Sequence, residues 1–275
     1  MNIVVHGLGI IGASICASLK KAGYRVYGKN RSREPVEFAL AHGYIDGEAT
    51  SYENADVVFL ALPPEITLKL LDEGEFPDGC VVSDICGVKA APERVVLSKP
   101  RSYRYVGIHP MAGKETSGIR SASCDLFRGA NLVIARNTET DGEALSLVRT
   151  LASDMGFSRM TECTAEKHDE MIALTSQLAH VVSSAYVKRP DIADCAGFTG
   201  GSFQDMTRVA GVDEKVWTEL YFLNAEYLLP EIDRVISCLS DYREALRGRD
   251  REKMRELIRE GMVFRKRFFP TGKDS

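Results

Sequence analysis

The sequence predicts an α/β amino-terminal domain, built on a doubly wound and mainly parallel sheet, followed by an all-helical carboxyl-terminal domain. Three observations carry that prediction. Short apolar runs of strand length alternate with helix-compatible segments through the first half. A glycine-rich turn follows the first of these runs and opens a helix. After about Asp141 the strand-like runs stop and long stretches of helical periodicity replace them.

The chain opens with Asn2-Ile-Val-Val-His6, a β-rich run that passes directly into Gly7-Leu-Gly9-Ile-Ile-Gly12. Residues 13–22 are helix-compatible, and Gly23 supplies a C-cap. Residues 25–28 read as a second strand and 33–42 as a helix closed by Gly43. Residues 57–62 form a continuous apolar run stopped by Pro63-Pro64, and 80–83, 105–108 and 132–135 read as further strands. Continuous apolar runs belong to strands buried on both faces, and right-handed crossovers then leave a doubly wound sheet. In the second half, 143–155, 165–187, 214–247 and 251–265 read as helices, with a kink or break expected at Pro230. Residues 243–267 hold ten Arg or Lys against five Asp or Glu, interleaved as on a solvated, ion-paired helix face. The domains are expected over 1–140, carrying the sheet, and 141–275, all-helical.

Composition bounds the function class. A chain of 275 residues with 44% hydrophobic and 27% charged residues can build ordinary globular cores. A net charge of -4 offers no basic surface for nucleic acid or an anionic membrane. The seven cysteines are odd in number and scattered, without C-x-x-C or zinc-ligand spacing, so they read as reduced thiols of a cytoplasmic protein without a bound metal. Residues 1–12 lack the basic flank of a targeting segment. Residues 171–187 carry no charge, but Thr175, Ser176, Gln177, His180, Ser183 and Ser184 make them too polar for a membrane span.

Several residues could carry chemistry. Gly7 permits a tight turn, Gly9 admits a pyrophosphate to the backbone, and Gly12 lets helix and strand pack closely. The helix N-terminus would add N–H groups and a positive dipole end. An acid about 20 residues beyond the glycines would read the ribose hydroxyl of NAD. Here Asn30 lies 18 residues past Gly12 and is followed by Arg31-Ser32-Arg33, which suit a 2′-phosphate, so NADP is favoured over NAD. Asp84-Ile-Cys-Gly87-Val-Lys89 follows a strand on the ligand-bearing edge and should border the nicotinamide. His109 ends the next strand, ahead of a glycine-rich loop through Gly118 that could fold over a substrate. Its imidazole could take a hydroxyl proton while hydride leaves the same carbon, with turnover rising through its ordinary pKa of about 6.5. Ser176, Gln177, His180 and Ser184 form a polar stripe on one helix face. His168 lies roughly 120° away around a straight helix and need not share that site. Arg208, in an apolar setting, could present its guanidinium to a carboxylate or pair with Asp205.

Taken together, the glycines, Asp84-x-x-x-x-Lys89, Gly-Ile-His109-Pro-Met-Ala-Gly, His168-Asp169, Thr-Arg208-Val-Ala, Trp217 and Asn224 resemble the prephenate/arogenate dehydrogenase family of tyrosine biosynthesis, over nearly the whole chain. The resemblance implies a Rossmann domain, a helical domain forming an intertwined homodimer, and oxidation of a cyclohexadienyl acid by NAD(P)+. It implies that His109 meets the substrate's C4 hydroxyl, Arg208 its ring carboxylate, and His180 its side-chain end. Two positions depart from the family. Gly87 stands where a serine commonly helps hold the catalytic histidine and nicotinamide. The family's Ser-His-Leu-Pro-His reads Ser176-Gln-Leu-Ala-His180. The expected reaction is oxidative decarboxylation of prephenate. Arogenate oxidation, another NADP-dependent Rossmann reductase (a β-hydroxyacid or pyrroline-carboxylate enzyme) and a non-catalytic NADP(H) sensor are the alternatives.

Overall fold

The computed structural model describes residues 1–113, 116 and 118–268. Six strands form one all-parallel sheet: β1 (Asn2–His6), β2 (Arg25–Lys29), β3 (Gly47–Glu48), β4 (Val57–Leu60), β5 (Val81–Asp84) and β6 (Arg104–Tyr105), in the spatial order 3-2-1-4-5-6. Helices α1 (Ile10–Lys21), α2 (Arg33–Ala41), α3 (Pro64–Glu73) and α4 (Ala90–Leu97) make the crossovers. Side-chain alternation along the strands buries both faces. Ile3, Val5, Val57 and Phe59 join one core with Ile15 and Leu19 of α1, while Val4, Val58 and Leu60 join another with Leu71 of α3. The strand order reverses between β1 and β4, which places the ligand crevice at their carboxyl ends.

A second sheet follows. β7 (Gly107–Met111) pairs antiparallel with β8 (Asn131–Ala135), and β8 pairs parallel with β9 (Arg159–Cys163). Strand β9 and helix α5 (Gly142–Asp154) correct the expectation that the chain turns purely helical at residue 141. Leu145, Val148 and Leu151 of α5 pack in the same core as β1. The sequence of β9, Arg-Met-Thr-Glu-Cys, is half-exposed and carries two charges, so it has no apolar run to announce it. The helical part begins only with α6 (Ala165–Ile172), which runs through one π-helical turn (Ala173–Gln177) into α7 (Leu178–Tyr186). Helices α8 (Gly201–Thr207) and α9 (Glu214–Leu223) follow. The chain divides into two compact units, Met1–Ala225 and Glu226–Ser275, so the boundary expected at 140 falls inside the first.

The second unit consists of α10 (Ala225–Arg247), which starts one residue before it, and α11 (Arg251–Phe268). The expected break at Pro230 lies instead at Asn224, whose side chain is engaged by other elements. Pro230 is then accommodated inside α10. Helix α11 has the interleaved charges expected, with Lys253–Glu256 at 3.0 Å and Arg255–Glu252 at 2.5 Å as i, i+3 pairs.

Candidate active site

The glycine turn is built as its spacing requires. Gly7 has φ +98°, and a Cβ on it would lie 2.1 Å from the Ala61 carbonyl oxygen. A Cβ on Gly12 would lie 1.9 Å from the Gly7 carbonyl oxygen, so helix α1 approaches β1 too closely for any side chain there. At Gly9, the residue before α1, a Cβ would meet nothing within 4 Å, leaving open space at the helix N-terminus. The first turn of α1 carries no acid to repel a phosphate. This cradle fits a dinucleotide pyrophosphate.

Beside it, Asn30 is drawn inward. Its Oδ1 accepts the Leu8 N–H at 3.0 Å and its Nδ2 donates to the Ser32 carbonyl at 3.0 Å, clasping the glycine turn to the start of α2. Arg31 and Ser32 are exposed, whereas Arg33 pairs with Glu37 at 2.9 Å. No acid stands at the end of β2.

His109 lies on β7, half-buried, with Nδ1 2.8 Å from Nε2 of His168 on α6. A Cβ added at Gly87 would lie 3.9 Å from His109 Cε1 and 3.3 Å from Leu220 of α9, so Gly87 adjoins the histidine directly. Burial, reinforced by His168 and Lys89, holds the His109 imidazole well below its ordinary pKa. The inflection expected near pH 6.5 is thereby moved to more acid pH. Beneath lies a closed polar network. The Lys89 ammonium meets the Asp84 carboxylate with neither side chain exposed, and Tyr105 donates to Asp84 Oδ2 at 2.6 Å. A Cβ on Gly107 would sit 2.6 Å from that phenolic oxygen, so glycine is what lets the network close.

The helical side reaches the same place through α9. Trp217, one turn before Leu220, stacks obliquely on His180 with ring centroids 3.9 Å apart. The His180 Nδ1–H donates to the Val209 carbonyl at 2.8 Å, which ties the residue after Arg208 to His180. Ser183 donates to the Met206 carbonyl at 2.7 Å and fixes the same segment. Arg208 caps α8 and is exposed. Helix α9 thus carries both Leu220, which borders Gly87, and Trp217, which stacks on His180. Gln177 is turned inward. It is 1% exposed, and its amide donates to the Leu220 carbonyl at 3.2 Å and accepts from Asn224 at 2.7 Å. Ser176 is half-buried with no side-chain hydrogen bond among the described residues. The loop expected to fold over a substrate has Lys114, Glu115 and Ser117 outside the described residues.

His168 is the residue whose role sequence reasoning missed. The π turn absorbs one extra residue, which rotates the later helix by about 100° and largely cancels the 120° offset between His168 and His180. The adjacent pair His168-Asp169 in an otherwise polar first turn was the available signal.

The family model for the prephenate dehydrogenase nucleotide-binding domain matches residues 15–160, and that for the prephenate dehydrogenase dimerization domain matches 164–260. The chain belongs to the prephenate dehydrogenase family. It is 28% identical to the prephenate dehydrogenase of Bacillus subtilis (strain 168), over 99% of this chain and 74% of that one. The structure of prephenate dehydrogenase from A. aeolicus, in complex with hydroxyphenyl propionate and NAD+, superposes with a TM-score of 0.85 at 26% identity, covering 98% of both chains. Synechocystis arogenate dehydrogenase superposes with a TM-score of 0.80 at 25% identity, covering 98% of this chain and all of that one. Members of the prephenate dehydrogenase family thus include proteins named for either cyclohexadienyl acid. Among the described residues no helix is long and apolar enough to cross a membrane, and no cluster of three His, Cys, Asp or Glu is placed to hold a metal.

Proposed function

We propose that the chain oxidises and decarboxylates prephenate to 4-hydroxyphenylpyruvate in tyrosine biosynthesis, with His109 as the base. The observation that carries this reading is that His109, on the second sheet, adjoins Gly87, which follows the carboxyl end of β5 in the sheet whose first turn is shaped for a dinucleotide. Bound NAD(P)+ supplies the hydride acceptor. His109 takes the C4 hydroxyl proton as hydride leaves C4. The C1–carboxylate bond then breaks, its electron pair restores the aromatic ring, and His109 returns the proton to the phenolic oxygen. Arg208 binds the ring carboxylate, and its planar fork sets direction as well as position. His180, held by Trp217 and Val209, faces the pyruvyl end with Ser176, while Gln177 supports that wall from behind.

NADP is the preferred cofactor on this reading. Asn30 is occupied by the glycine turn, no acid replaces it, and Arg31 and Ser32 are exposed where a 2′-phosphate would lie. The sheet-bearing part through β9 binds the dinucleotide and the helices from α6 onward bind substrate. A homodimer forms through the last two helices. Ile236, Leu239 and Leu246 of α10 are 56%, 62% and 68% exposed, and Ile258, Met262 and Phe264 of α11 are 51%, 56% and 56% exposed. A second copy would cover these apolar faces. A cytoplasmic location accords with seven unpaired cysteines.

The test is turnover of prephenate and arogenate, each with NAD+ and NADP+, followed by nicotinamide absorbance and product chromatography. Formation of 4-hydroxyphenylpyruvate is expected, faster with NADP+. Turnover of arogenate alone would reassign the substrate, and turnover of neither acid would overturn the reading.

A further inference from the structure

Gly87 brings no hydroxyl to His109, and the space in front of it is bordered by the Leu220 methyl carbons at 3.3 and 3.4 Å from a Cβ position. His109 takes its hydrogen bond from another side. Its Nδ1 lies 2.8 Å from Nε2 of His168, which is 2% exposed, and His168 Nδ1 lies 2.6 Å from Oδ1 of the fully buried Asp169. Asp169 is itself fixed. Its two oxygens accept the Lys89 N–H at 2.7 Å and the Ala90 N–H at 2.9 Å, where α4 begins, and Asn224 donates to its carbonyl at 3.0 Å.

The proton positions follow from valence. A carboxylate can only accept, so His168 carries its proton on Nδ1. Neutral His168 then presents a bare Nε2, which must accept, so His109 carries its own proton on Nδ1. The Nε2 of His109 is therefore bare. The charged or titratable groups facing the pair are His109 from β7, Asp84 from β5 and Lys89 ahead of α4, with Glu93 on α4 and Cys163 of β9 nearer Asp169. Burial outweighs the attraction of Asp169 and keeps His168 below its ordinary pKa, consistent with two neutral rings.

We propose that His168, anchored by Asp169, is the positioning residue that holds His109 as the Nδ1–H tautomer and leaves its Nε2 free to accept the substrate proton. It performs the task that a hydroxyl at position 87 cannot perform in this chain. The inference deepens the oxidation proposed above and rests on it for its consequence, but the tautomer itself is a property of the resting protein.

Nitrogen NMR of histidine-labelled wild-type protein reads both rings directly, without substrate. His109 is expected protonated on Nδ1 and bare on Nε2, and the opposite tautomer overturns the proposal. Two variants then test the consequence. His168→Leu removes the acceptor and should lower kcat about 10- to 1000-fold, with KM and dinucleotide affinity nearly unchanged. His168→Gln keeps an acceptor oxygen and should recover most of that loss. Equal kcat in the two variants overturns the proposal, whether both are impaired or both match wild type. Wild-type protein that oxidises neither cyclohexadienyl acid sinks the proposed function instead, and leaves the tautomer to be decided by the spectrum alone.

Discussion

His109 Nδ1 and His168 Nε2 lie 2.8 Å apart, joining a strand of the second sheet to the first helix of the helical part. Burial of this pair sets how the site responds to pH. His109 must be neutral to accept a proton, and burial lowers its pKa well below 6.5. A depressed pKa means the base is lost only at more acid pH. The acid limb of kcat/KM should therefore lie below pH 6.5, with little loss between pH 7.5 and 6.5. A limb centred at or above 6.5 in the pH profile contradicts the burial seen here.

Cofactor choice tests the end of β2. Arg31→Ala should remove a charge-assisted contact of about 1.5–3 kcal/mol from NADP+ but not from NAD+, weakening NADP+ by about 10- to 100-fold. Dissociation constants for both dinucleotides decide it, and equal weakening means Arg31 does not read the phosphate. Asn30→Ala should instead weaken both alike, because it frees the Leu8 N–H from its clasp.

Arg208 follows Thr207 at the end of α8 and precedes the carbonyl that holds His180. If its guanidinium binds the ring carboxylate, Arg208→Lys keeps the charge but loses the fork, so KM should rise about 10-fold, and more in Arg208→Ala. The melting temperature should stay near wild type in both. A lowered melting temperature with unchanged KM would make Arg208 a structural residue only.

Three histidines bear on acid stability. Burial, aided by Lys29, lowers the His6 pKa to about 4, and burial also lowers His109 and His168. In the unfolded chain each titrates near 6.5. Below that pH the unfolded state binds protons that the folded state refuses, so stability is full above pH 6.5 and declines as pH falls toward 4. Melting temperature should fall steadily from pH 7 to pH 5 by calorimetry. A flat profile over that interval would mean the three rings are not held neutral.

How far the sequence discloses this site depends on the range of each interaction. The roles of Gly7, Gly9 and Gly12 are local, set within one strand–turn–helix unit, and the clash distances at Ala61 and Gly7 agree with the spacing. Continuous apolar runs likewise disclose β1, β4 and β5, because strands buried on both faces need them. His109 stands out because an apolar strand-like run leads straight into it, although the strand itself continues past it to Met111. Strand β9 is hidden by its two charges and half-exposed register. The helix break at Asn224 is hidden because its cause is long-range: the side chain reaches Asp169 and Gln177, 55 and 47 residues away. Gln177 looks like part of a substrate-facing stripe until that same contact turns it inward. The π turn, which no local pattern marks, is what brings His168 and His180 toward one face.

Whether His109 takes the substrate's proton is decided by the variant His109→Asn. Asn keeps a polar side chain of similar size and removes the base. Turnover of prephenate by the variant, with saturating cofactor and with dinucleotide affinity measured on the same sample, should fall about 10²- to 10⁴-fold while that affinity holds. A variant that still turns over within a few-fold of wild type would show that His109 is not the base.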